Sequence, residues 1–90
     1  MKLYLPTVRS DTHRADLMAS VMSQIIAIMA AVSVLRQNAP QRQDFASDDS
    51  GETKYDGAWN EHHERIEALL SAAGELELRG AAIGSAPLLP

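Results

Sequence analysis

The stretch that decides the fold is LMASVMSQIIAIMAAVSVL, residues 17–35, in which nineteen consecutive positions carry no charged side chain. Its alanine, leucine, methionine and isoleucine content favours an α-helix. Apolar residues surround this predicted helix on all sides, so that no polar face remains. A helix of this kind is either buried within an assembly or spans a membrane.

The residues that flank this stretch give the helix clear ends. Ser10 and Asp11 supply oxygen atoms of the kind that cap a helix N-terminus, and Pro40 cannot continue a helix. We therefore predict helix 1 over residues 11–38, preceded by an extended arm over residues 1–10.

A second, amphipathic helix is predicted over residues 57–79, with Gly80 as its C-terminal stop. Its apolar stripe at helical spacing consists of Trp59, Ile66, Leu69, Leu70, Ala73 and Leu76. Residues 39–56 have the composition of an acidic linker and residues 80–90 that of an apolar tail, and no heptad run of useful length is identified. The prediction is an all-α two-helix hairpin that forms one domain over residues 1–90.

The size and composition of the chain limit the ways in which it can become stable. A chain of 90 residues buries too little surface for a large core, and the absence of cysteine excludes disulfides. The net charge of −4 divides into +3 over residues 1–43 and −7 over residues 44–90. Because a nucleic-acid binder needs a concentrated basic face, no nucleic-acid partner is expected. Oligomerisation is the expected source of stability.

We expect self-association through helix 1, because one hairpin alone cannot cover the apolar surface of this helix. The single apolar stripe of helix 2 covers only one side of helix 1, so the other side needs a second copy. We expect a homodimer, built as a four-helix bundle, in the cytoplasm. The predicted self-association residues are Met18, Met22, Ile25, Met29 and Val32.

The alternative is a single-pass membrane protein. Residues 17–35 approach the ~20 residues that cross a bilayer. Against this, Gln24 would need a polar partner inside the span, and no aromatic residues mark the two membrane interfaces. In this alternative the acidic remainder of the chain forms a soluble tail.

A larger partner protein is expected on the acidic face of helix 2. The predicted partner-binding residues are Trp59, Glu61, Glu64 and Glu67. Trp59 has a second interpretation, as a hydrophobic plug at the start of helix 2 that packs on the end of helix 1. Charge reversal at the three glutamates is expected to abolish binding without unfolding the chain.

No catalytic activity, cofactor or metal site is expected. The serines lie in an apolar helix or in loops, without the glycines that expose a catalytic nucleophile. His63 and Glu67, one helical turn apart, would be at most half of a metal site that a second chain completes. In size and in its lack of catalytic motifs the chain is similar to small accessory proteins of phages and mobile genetic elements. That similarity implies an adaptor, an inhibitor or an assembly subunit.

Overall fold

The structure, a computed structural model, describes residues 7–88 and confirms an all-helical hairpin within that range. Helix α1 covers Asp11–Gln37 and helix α2 covers Asp49–Ser85. The two helices pack antiparallel, and the segment between them contains one 3₁₀ turn, Arg42–Asp44. The predicted arm lies outside the described residues except for its last four positions.

Side-chain caps fix where both helices begin. The Ser10 hydroxyl accepts a hydrogen bond from the His13 backbone N–H at 3.1 Å, as expected for the start of helix 1. The Asp48 carboxylate accepts one from the Gly51 N–H at 2.9 Å, and α2 therefore begins at Asp49 rather than at residue 57. The acidic run assigned to the linker is instead the first turn of α2, where negative charges stabilise the positive end of the helix dipole.

The C-terminal end of α2 also differs from the prediction. Gly80 does not end the helix, which continues to Ser85 through the segment predicted to be tail. The Arg14 guanidinium of α1 donates hydrogen bonds to the carbonyl oxygens of Ile83, Gly84 and Ala86. Because the last carbonyls of a helix have no intrahelical partner, Arg14 acts as a cationic cap supplied by the neighbouring helix.

The contact between the helices follows a heptad pattern that the sequence prediction missed. On α1 it comprises Met18, Val21, Ile25, Ile28, Val32 and Leu35, all buried or half-buried at alternating spacings of three and four residues. On α2 the same spacing runs through Tyr55, Trp59, His62, Ile66, Leu69, Ala73, Leu76, Gly80 and Ile83. This seam is the geometry of an antiparallel coiled coil. Histidine, alanine and glycine at three α2 positions obscured the repeat in the sequence.

The hairpin is one layer thick. Its principal dimensions are 68 × 28 × 11 Å, and the shortest matches the diameter of a single helix. The radius of gyration is 19.7 Å, whereas a compact chain of this length has about 12 Å. Soluble domains bury their apolar faces between at least two layers of secondary structure, so both broad faces of this hairpin lack the second layer.

Candidate interaction surfaces

One broad face of the hairpin carries a groove of about 550 Å³ with a mixed polar and apolar lining. Its lining comprises Thr7, His13, Leu17, Ser20, Val21, Gln24, Arg79 and Ile83. Leu17, Val21 and Ile83 form the apolar part, where the groove meets the seam. Because Gln24 and Arg79 line the same groove, the polar flanks of α1 and α2 lie on the same side of the hairpin.

The opposite face of the hairpin is apolar on α1, and we call it the methionine face. The flank of α2 that borders it carries Glu77 as well as Leu70, because these two residues lie one heptad apart. At 100° per residue, Met22 and Met29 lie on the flank of α1 that is away from Gln24, and Leu70 lies on the flank of α2 that is away from Arg79. The exposed fractions are 58 % for Met22, 42 % for Met29 and 38 % for Leu70. Ile26, 64 % exposed, lies at the outer edge of the same face. The methionine face comprises Met22, Ile26, Met29 and Leu70.

The structure divides the five predicted self-association residues between two surfaces. Val32 is 1 % exposed within the hairpin, and Met18 and Ile25 pack against the hairpin core, so these three are not available to a second copy. Met22 and Met29 are exposed on the methionine face. Sequence reasoning missed the exposed Ile26, because Ile25 and Ile26 have the same side chain and only the heptad register separates them.

The predicted partner-binding glutamates lie at the acidic end, which we define as residues 38–67. This end comprises the connection between the helices and the first half of α2, and it carries a net charge of −5. Glu61, Glu64 and Glu67 are exposed on α2, away from the seam. Glu61 makes an exposed ion pair with Arg65 at 4.0 Å, a type of contact that contributes little to stability.

Trp59 belongs to an aromatic cluster rather than standing alone on the surface. Its ring packs edge to face on Tyr55 at 6.4 Å and on His62 at 5.4 Å, measured between ring centroids. Phe45 of the connecting segment packs on Tyr55 at 5.7 Å. The Trp59 side chain is half-buried, and His62 is 8 % exposed in the seam. The cluster therefore fastens the connecting segment to the first half of α2.

Residues 7–88 bear on two further site types, a metal site and a membrane span. No group of three His, Asp or Glu side chains in this range lies close enough together to hold a metal ion. Helix α1 is long and apolar enough to cross a membrane, by length and composition. Only two of its residues, Val21 and Val32, are buried in the hairpin.

Neither a protein-family model, a curated protein nor a solved structure matches this chain. The function is therefore proposed from the exposed surfaces of the hairpin. Two of them are distinctive: the apolar methionine face, and the acidic end that projects beyond the C-terminus of α1.

Proposed function

We propose that this protein is a non-enzymatic protein–protein interaction module that pairs with a second copy through the methionine face. The acidic end then presents Glu61, Glu64 and Glu67 to a larger partner protein. The observation that carries the proposal is the exposure of Met22 and Ile26 on a hairpin that has no second layer. Contiguous exposed apolar side chains of this kind are typical of association surfaces.

The surface area of the hairpin supports pairing. The accessible surface is 6893 Å², whereas a compact monomer of this mass exposes about 5,200 Å². The excess is about 1,700 Å², and a stable interface needs about 800 Å² from each partner. One copy can therefore bury a full interface and still expose as much surface as an ordinary protein of its size.

A membrane span is the second candidate, because α1 has the length and apolar content for one. In the hairpin, however, α1 packs along α2, which carries Glu75, Glu77 and Arg79 over the same length. A single span would require α1 to leave α2, with loss of the seam and of the Arg14 cap. The hairpin therefore favours pairing in water over insertion.

The test is the mass of the protein, purified without detergent, by size exclusion with light scattering. We expect a dimer for the natural chain and a monomer for Ile26→Glu, because the new carboxylate would be buried in the interface. Val34→Glu is the matched control, since Val34 is 57 % exposed on the same helix but lies outside the methionine face. A monomeric natural chain, or one recovered only from membranes with detergent, contradicts self-association.

The partner surface needs a separate test. Tagged protein with Glu61, Glu64 and Glu67 all changed to lysine should no longer capture the partner protein from cell extract, while circular dichroism shows an unchanged helix content. Glu75→Lys is the control, because Glu75 is exposed on α2 but lies outside the acidic end and away from the methionine face. Equal capture by the triple variant and the natural chain would remove the acidic end from the partner surface.

A further inference from the structure

We propose that the two copies stack antiparallel, so that the acidic end of each hairpin lies beyond the opposite end of the other. This inference rests on the proposed self-association and adds the relative orientation of the two copies. It concerns a second copy of this chain on the methionine face, and it is carried by the distribution of charge along the hairpin.

The charge is concentrated at one end of the molecule. Residues 38–67 contain eight acidic and three basic side chains, which gives a net charge of −5. In the remainder of the described chain, residues 7–37 and 68–88, four basic and four acidic side chains cancel. The hairpin therefore has an acidic end and a neutral end, and the seam runs between them.

The position of the apolar contact along α1 favours neither the parallel nor the antiparallel pair. Along the helix axis, Ile26 lies between Met22 and Met29 near the middle of the methionine face, and α1 itself is centred close by, over Asp11–Gln37. Two α1 helices would therefore overlap over nearly their whole length in either orientation. The larger charge lies beyond this overlap, since the α2 flank bordering the face carries the single Glu77 there, and that larger charge can distinguish the parallel from the antiparallel pair.

The acidic ends are such a feature. Helix α2 has 37 residues against 27 in α1, and its extra length and the connecting segment project past the C-terminus of α1. In a parallel pair these two projections would lie side by side, with −5 on each. In an antiparallel pair they lie at opposite ends of the assembly. Like charges brought together oppose association, so the antiparallel pair is the favoured one.

The absence of cysteine allows a direct test by single-cysteine cross-linking. Ile26→Cys, at the middle, should cross-link to itself in either orientation and so reports pairing alone. Ala19 and Ser33 are exposed, seven residues to either side of Ile26, and lie on the same side of α1. In an antiparallel pair Ala19 of one copy lies near Ser33 of the other, and two copies of Ala19 are separated by about 21 Å along the helix.

We expect a short bis-maleimide to link Ala19→Cys protein to Ser33→Cys protein when the two are mixed, and to give little product with either alone. Self-linking of Ala19→Cys, with no mixed product, would overturn the antiparallel arrangement while leaving pairing intact. Failure of Ile26→Cys to cross-link, together with a monomeric mass, would overturn the proposed self-association itself. At 1 M salt, where screening acts over about 3 Å, self-linking of Ala19→Cys should increase.

Discussion

Gly80 of α2 lies against Val21 of α1, so that a Cβ at Gly80 would be 3.4 Å from Val21 Cγ1 and 3.8 Å from Met18 Cε. These are ordinary contact distances, and they leave room for a methyl group and nothing larger. The seam at this level is therefore filled by the α1 side chains, with the α2 backbone as the opposing surface.

Gly80→Ala and Gly80→Leu should consequently act in opposite directions. Alanine fits the available space and favours the helix by up to about 1 kcal/mol, so the free energy of unfolding should rise slightly. Leucine would separate the helices and lower the free energy of unfolding by about 1–3 kcal/mol. Urea denaturation followed by circular dichroism measures both changes. Equal stability of the two variants would contradict close contact at Gly80.

Gly51→Ala should destabilise the hairpin, because a Cβ at this position would overlap the backbone carbonyl of Ala46. The connecting segment would have to move away from the first turn of α2, at a cost of about 1–3 kcal/mol. Gly57→Ala is the matched control, since it lies in the same helix and the added Cβ would meet no atom within 4 Å other than those of its own helical turns. The control should gain up to about 1 kcal/mol in urea denaturation. A gain for both variants would mean that the segment does not pack on Gly51.

Arg14→Gln should loosen the neutral end of the hairpin. The variant removes the charge, and its shorter side chain cannot bridge the carbonyls of Ile83 and Ala86. We expect a loss of about 1–3 kcal/mol in the free energy of unfolding, the usual range for hydrogen bonds to a charged group. Faster amide hydrogen exchange should accompany it, confined to the last turn of α2. Arg9→Gln, which changes an exposed arginine just before α1, should alter neither property.

The hairpin could be predicted from sequence because its signals are local. Ser10 caps α1 and Pro40 follows its end, and both act within one turn of the boundary that they set. The boundaries of α2 depend on contacts that sequence does not display. Asp48 serves as its cap, and the helix continues through Gly80, which lies in the seam against Val21.

The division of α1 between seam and exposed face could not be predicted for a related reason. Apolar residues surround the whole helix, so composition does not indicate which ones α2 covers. The register of α2 decides it, and in that register His62, Ala73 and Gly80 interrupt the series of large apolar side chains. Val32 thus lies in the seam, whereas Ile26 lies on the methionine face.

Trp59→Ala should lower the stability of the acidic end, because the ring packs on both Tyr55 and His62. Since the indole is half-buried, we expect a loss of about 1–3 kcal/mol, below the range for a fully buried aromatic residue. Thermal unfolding followed by circular dichroism measures the loss. Asn60→Ala, which changes the neighbouring exposed residue, should leave the melting temperature unchanged. An unchanged melting temperature for Trp59→Ala, combined with lost capture of the partner protein, would instead assign the ring to the partner surface.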